Sequence, residues 1–270
     1  MNQESNSFPS DSMDSNTPVM LVTGSARRIG AAIVRAAHKQ GYRIIIHCHH
    51  SQDEAEYLAN QLNETRSASA AVIVADLAVV NNNTTLDVFV KNIIGTFGRL
   101  DVLVHNASRF YPSPIGYINH EQWNELFLTN AKAPLFLSQA LLPYLKRQQG
   151  CIVSLLDIHA QDTPFSNYAV YNMAKAAHRM MVQSLALELA PDIRVNGVAP
   201  GVNVLPESDS DQALDDVKQQ DIIASIPMQR IGKPEEIAHS VMYLVQAHYV
   251  TGEIITIDGG RSLTLAGSGF

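Results

Sequence analysis

Between Pro18 and Leu263, short apolar runs alternate with longer segments of helical period, and no other feature limits the possible folds of this chain so strongly. Alternation of that kind builds βα units, which stack into a parallel sheet covered by helices on both faces. Candidate strands are Val19 to Thr23, Arg43 to His47, Ala71 to Ala75, Leu100 to Val104, Cys151 to Leu155, Arg194 to Val198 and Glu253 to Ile257. They predict one doubly wound α/β domain over residues 18–270, with a seven-stranded parallel sheet. Ile29, Ile33, Ala36 and Ala37 recur at helical spacing within Ile29 to Gln40, and Gly41 supplies a stop. The run Ser51, Gln52, Asp53, Glu54 matches a capping box for the following helix. Gln122 to Arg147 and Tyr168 to Leu189 are expected to be long helices, apolar beyond what one sheet face would cover, so a symmetric oligomer is expected.

Composition narrows the class. Hydrophobic residues make up 46% of the 270 and charged residues 17%, which excludes a disordered, collagenous or coiled-coil protein. Nineteen basic against 26 acidic residues leave a net charge of -7 and no general attraction to nucleic acid or an anionic membrane. Cys48 and Cys151 lie far apart, with no spacing for a zinc site or a disulfide framework, so a reducing compartment is expected. Residues 1–17 are rich in Ser, Asn and Asp and contain neither an apolar run nor a basic residue. They are expected to form a disordered tail rather than a targeting peptide, and no later apolar run is long enough to span a bilayer. The expectation is a cytoplasmic protein.

The first strand runs into TGSARRIG, from Thr23 to Gly30, a glycine-containing turn that opens a helix. Such a turn presents backbone N–H groups and a helix N-terminus to a pyrophosphate, as in a Rossmann-like fold, although an ordinary strand-helix turn with a surface arginine has the same sequence. Arg28 stands where a middle glycine would allow the closest backbone approach. Dinucleotide folds that take NAD(H) carry an acidic residue about 20 residues past the glycines. No Asp or Glu occurs between Ser25 and Gln52; the second strand ends instead in HCHHS, from His47 to Ser51, potential cations and hydroxyl donors suited to a 2′-phosphate. NADP(H) is therefore favoured over NAD(H). Exposed polar residues at a strand end are the bland alternative; a metal site ranks lower, for want of a further Cys or carboxylate at suitable spacing.

In YNMAK, from Tyr171 to Lys175, the i and i+4 positions share a helix face, so phenol and ammonium can converge on one cleft. A cation beside the tyrosine would lower its pKa and make the phenol a better proton donor. A half-buried tyrosine and a surface lysine would have the same spacing.

Taken together, these pieces resemble the short-chain dehydrogenases/reductases, and within them the pteridine reductases. The resemblance covers nearly all of Pro18 to Leu263. It rests on TGSARRIG, IHCHHS, ADL at Ala75 to Leu77, HNASRFYP at His105 to Pro112 and Asn130 in LTNAKAP. The Asp157 to Lys175 segment, NGVAPG at Asn196 to Gly201 and the stretch from Thr251 to Gly260 ending in IDGG complete it. Arginine at position 28, where general family members carry glycine, and aspartate at 157, where they carry serine, mark the pterin-reducing branch.

The resemblance implies NADPH as cofactor, held by Gly24, Arg28, Ile29 and Gly30, by His47, His49, His50 and Ser51, and by Asp76 and Leu77. Asn106, Ala107, Ser108, Lys175, Pro200 and Gly201 would complete that site. Asp76 would accept a hydrogen bond from the adenine amine, and Lys175 would bind the nicotinamide ribose. Arg28, Ser108, Phe110, Asp157, Tyr171 and Leu205 would bind substrate, with Phe110 stacked on a pterin. Asp157, Tyr171, Lys175 and Asn130 would be catalytic: Tyr171 and Asp157 share proton delivery, and Asn130 holds a water. A homotetramer is implied.

Two departures stand out. His50 occupies a place where pteridine reductases commonly carry arginine, and Tyr171 follows Asp157 by fourteen positions, one more than usual. An extra residue in the loop near Gln161 to Pro164 would keep Asp157 at its strand end. The polar run after Gly201, with Glu207, Asp209, Asp211, Asp215 and Asp216, resembles a mobile substrate loop over about residues 202–228. The expected activity is NADPH-dependent reduction of dihydropterin, and of dihydrofolate as a further substrate, to the tetrahydro form. A carbonyl or 3-oxoacyl reductase, or a catalytically silent NADP(H) sensor, remains as an alternative.

Overall fold

The computed structural model describes residues 16–160, 163–203 and 215–265. Seven short strands form its centre: β1 (Val19–Val22), β2 (Arg43–Cys48), β3 (Ala70–Val74), β4 (Val102–His105), β5 (Cys151–Leu155), β6 (Arg194–Pro200) and β7 (Ile254–Ile257). All pair in parallel, in the order β3-β2-β1-β4-β5-β6-β7. Alternate side chains of each strand enter opposite layers. Met20 and Val22 pack with Ile33, Val34 and Ala37 of α1 (Arg28–Lys39), Leu58 of α2 (Gln52–Thr65) and Val241 of α8 (Pro234–Gln246). Val19 and Leu21 pack on the other face with Phe89 and Ile93 of α3 (Asn83–Phe97), Leu137 and Leu141 of α5 (Ala133–Arg147) and Val182 of α6 (Ala169–Leu189). Double burial explains why the strands are continuous apolar runs rather than alternating ones. The chain leaves β1 toward β2 on one side and returns to β4 on the other, so a crevice opens at the carboxyl ends of β1 and β4. This is the expected doubly wound Rossmann-like α/β architecture.

Two local expectations fail. The long helix over Gln122 to Arg147 is broken into α4 (His120–Phe127), a π-turn at Leu128–Lys132, and α5. Pro134 has no N–H to continue the α-helical ladder, and the Asn130 side chain donates to the Leu126 carbonyl at 3.0 Å, so the turn widens there. Ser51 precedes α2 but makes no side-chain cap. Glu54, the expected reciprocal partner, lies 3.5 Å from Arg27 instead. Two shorter helices, α7 (Asp216–Ala224) and α9 (Arg261–Leu265), lie in the C-terminal part, and no described helix is long and apolar enough to cross a membrane.

The turn after β1 is packed against β4 too closely for side chains. A Cβ on Gly30 would lie 2.6 Å from Ser25 Cα and 2.7 Å from Asn106 Nδ2. Gly30→Ala should therefore destabilise the fold by about 1–3 kcal/mol, a fall in Tm of ~3–10 °C by thermal denaturation. An unchanged Tm would contradict this close approach.

Candidate active site

Thr23 follows β1 and ties the crevice together. Its hydroxyl donates to the Val104 carbonyl and accepts from the Asn106 and Ala107 amides at 3.0 and 3.1 Å, while Asn106 Nδ2 donates to the Thr23 and Gly24 carbonyls. Gly24, at φ +60, donates its N–H to His47 Nδ1 at 3.1 Å, and His47 Nε2 lies 3.1 Å from the Ala75 carbonyl. Both ring nitrogens are thereby used. Burial holds the His47 pKa down at about 4, so this imidazole is a neutral brace between β2 and its neighbours, not the cation expected for a phosphate.

Beyond this brace a cavity of about 620 Å³ opens over the β1 and β4 ends. Gly24, Arg27 to Gly30, His47 to Ser51, Asp76, Leu77 and Asn106 to Ser108 line it, together with parts of α4 and the π-turn. At its floor α1 begins without a side-chain cap or an acidic residue in its first turn. Helix N-termini of this kind favour an anion, and Arg27, Arg28, His49 and His50 surround this one with basic side chains. His49 and His50 lie ring against ring at 3.6 Å, and His49 Nε2 is 3.8 Å from Asp76. Asp76 Oδ1 caps the turn after β3 by accepting from the Ala78 amide. Arg28 takes φ +53, the left-handed region, a conformation that costs a non-glycine residue roughly 1–2 kcal/mol. The uncapped helix, the glycine turn and the basic rim fit a dinucleotide pyrophosphate.

On the far side of Ser108 lies the second half of the site. Ser108 Oγ donates to Asn130 Oδ1 at 2.7 Å, and Asn130 Nδ2 donates to the Arg109 carbonyl at 2.8 Å. Tyr171 Oη donates to Asp157 Oδ2 at 2.7 Å. The long interval between these two residues therefore leaves them in contact; residues 161 and 162, where the extra residue was placed, lie outside the described residues. Asp157 is held from below by the His159 amide on Oδ1.

Lys175 is buried, not a surface residue, and its Nζ donates to the Leu155 carbonyl at 2.9 Å. It lies 5.9 Å from the centre of the Tyr171 ring and does not lower the phenol pKa as expected. Burial first, and then the Asp157 charge, raise that pKa well above 10, with only partial opposition from Ser108. The phenol is kept protonated.

Phe110 stacks on Tyr168 at 4.5 Å and meets Tyr171 and Phe165 edge to face at 4.8 and 6.1 Å. One face of Phe110 is thus occupied, and the ring remains 42% exposed. Sequence reasoning missed Tyr168 and Phe165, although Tyr168 lies three positions before Tyr171, and it missed the tie made by Thr23. Pro200 and Gly201 close β6; a Cβ on Gly201 would approach Asp258 Cβ to 2.6 Å. Leu205 and most of the expected substrate loop, residues 204–214, lie outside the described residues.

The topology and the crevice define a Rossmann-like α/β domain that fits a dinucleotide, and comparison with known proteins specifies it further. The family model described as enoyl-(acyl carrier protein) reductase matches residues 24–262. Pteridine reductase 1 of Leishmania tarentolae is 36% identical over 288 aligned residues, covering 92% of this chain and 98% of that protein. An acetoacetyl-CoA reductase of Acinetobacter is 33% identical, covering 91% and 98%. A 3-oxoacyl-(acyl-carrier-protein) reductase of Staphylococcus epidermidis is 31% identical, covering 89% and 97%. The chain belongs to the short-chain dehydrogenase/reductase family and is an oxidoreductase whose family uses NAD(P)H.

Burial lowers the Lys175 pKa from 10.5 to about 8, opposed by Asp157. Between these values the unfolded chain binds more protons than the folded one, so this group makes stability rise with pH across that window. Lys175→Met should therefore melt higher than the wild type at pH 7 without cofactor, and the gap should narrow as pH rises from 8 to 10. A gap that widens over this range would contradict a buried, strained ammonium.

Proposed function

We propose that this protein is an NADPH-dependent pteridine reductase that converts dihydropterins, and dihydrofolate as well, to their tetrahydro forms. The observation that carries the reading is the 2.7 Å contact between the Tyr171 phenol and the Asp157 carboxylate, beside the partly exposed ring of Phe110. Reduction of a C=N bond needs a hydride at carbon and a proton at nitrogen. Bound NADPH supplies the hydride. Tyr171, held protonated, delivers its proton to the ring nitrogen, and the Asp157 carboxylate takes up a proton from solvent and passes it on to the phenolate left behind. Phe110 offers its exposed ring surface to the flat heterocycle, and Arg28 and Ser108 offer donors along its edge. Lys175 and Asn130 bind and orient at the nicotinamide end.

NADPH is preferred over NADH because no carboxylate precedes Gln52 on the second βα unit, and His49, His50, Ser51 and Arg28 line the cavity that a 2′-phosphate would enter. The similarity to Leishmania pteridine reductase supports the pterin reading. The similarity to acetoacetyl-CoA and 3-oxoacyl reductases supports a second one, reduction of a 3-oxoacyl thioester. A rival-substrate assay separates the two: NADPH absorbance is expected to fall with dihydrobiopterin, dihydromonapterin or dihydrofolate, whereas turnover of an acetoacetyl thioester alone would refute the pterin reading.

His50 lines the cavity that a 2′-phosphate would enter, so a permanent cation in its place should favour NADPH. His50→Arg should tighten NADPH while leaving NADH affinity little changed; an equal effect on both cofactors would exclude His50 from the phosphate site.

The proposal extends to assembly. Met173, Met180 and Leu187 lie seven residues apart on α6, exposed at 45%, 61% and 85%, and form an apolar stripe on one helix face. A homotetramer covers such stripes, and equilibrium sedimentation should find it; a monomer at micromolar concentration would contradict it.

A further inference from the structure

Behind Lys175 lies a set of buried polar side chains that the reaction described above does not use. His178, three residues past Lys175 on α6, is 2% exposed, and its Nε2 lies 2.9 Å from Ser154 Oγ on β5. His105, at the end of β4, is equally buried, with Nε2 2.8 Å from Ser138 Oγ on α5. The two imidazoles meet edge to face at 6.0 Å, and Ser154 and His105 are register partners on adjacent strands.

Each serine satisfies one ring nitrogen, which leaves His178 Nδ1 buried without a hydrogen-bond partner. The main-chain carbonyl of Asn130 lies against the ring, close enough to favour its protonation, yet no well-formed bond joins them. That carbonyl belongs to the π-turn. In an α-helix its donor would be the N–H four residues on, but that residue is Pro134. A proton on Nε2 would aim the Nδ1 lone pair at the electron-rich carbonyl. A proton on Nδ1 lets the ring donate to that carbonyl while Nε2 accepts from the Ser154 hydroxyl, so both groups are satisfied.

We propose that His178 is a positioning residue of the active site: protonated on Nδ1, it holds the Asn130 carbonyl, and so fixes the π-turn that aims Asn130 at Ser108. The Asn130 side chain takes one hydrogen bond from Ser108 and donates two, to the Arg109 and Leu126 carbonyls, so a shift of the turn moves the nicotinamide end of the crevice. Burial, with the Lys175 charge beside it, holds the His178 pKa well below 6.5, so the ring acts as a neutral hydrogen-bonding group. The catalytic consequence rests on the reductase reading of the site; the tautomer does not.

Two amide variants test the role, because an asparagine nitrogen superposes on Nδ1 and a glutamine nitrogen on Nε2. His178→Asn keeps a donor toward Asn130, and its kcat, on whichever substrate the wild type reduces, should stay within about threefold of wild type. His178→Gln keeps only the Ser154 contact, and its kcat should fall by on the order of tenfold or more, the scale of a small misplacement of reacting groups, with KM for the cofactor little changed. A merely structural histidine would make the two variants equally poor or equally active, and either result overturns the proposal. The second measurement needs no substrate and no variant: nitrogen-15 NMR of the histidine-labelled wild type should show His178 protonated on Nδ1. A proton on Nε2 overturns the proposal while leaving the pterin reading untouched.

Discussion

The hydrogen bond from the Tyr171 phenol to the Asp157 carboxylate joins α6 to the end of β5, and the proposed chemistry of the site depends on it. Asp157 stays in place because β5 is buried on both faces and the His159 amide holds its other oxygen. Tyr171 stays in place because α6 packs on the sheet through Val182 and Ala186 while Phe110 and Tyr168 enclose the phenol from outside. A carboxylate against a buried phenol keeps the proton on oxygen. A lysine alone would have favoured the phenolate, and at 5.9 Å, committed to the Leu155 carbonyl, Lys175 does not prevail.

The crevice has two halves built on different physics. Over the β1 and β4 ends, close backbone packing at Gly24 and Gly30 brings an uncapped helix N-terminus to the floor, and basic side chains form the rim. Arg28 holds a left-handed backbone conformation there, where glycine would be unstrained, so its guanidinium is bought with stability. Beyond Ser108 the site is aromatic, and Tyr171 and Lys175 are buried in it, which raises the cost of charge and strengthens their hydrogen bonds. Ser108 belongs to both halves, lining the cavity and donating to Asn130.

Much of this was legible in the sequence because strand burial leaves so direct a trace. Runs such as Arg43 to His47 and Cys151 to Leu155 could hardly be anything but interior strands, and Tyr171, Lys175 and Asp157 follow from spacing and family resemblance. Long-range contacts were not legible. Nothing local reveals that His47 turns inward to Gly24 and Ala75 and stays neutral while His49 and His50 face the cavity. The break at Asn130 was missed because Gln122 to Arg147 keeps a helical apolar period through it, although Pro134 marked the place. The Ser51 cap failed for a tertiary reason, since Glu54 pairs across the turn with Arg27.

The central claim is that Asp157 works as a proton-relay partner of Tyr171 in C=N reduction, and Asp157→Asn tests it with little change in shape. Turnover of dihydropterin in that variant should fall by on the order of a hundredfold or more, the scale of losing a proton-transfer group, while NADPH affinity by fluorescence quenching stays near wild type. Near-normal turnover of dihydropterin would contradict the account and leave Tyr171 to deliver the proton alone.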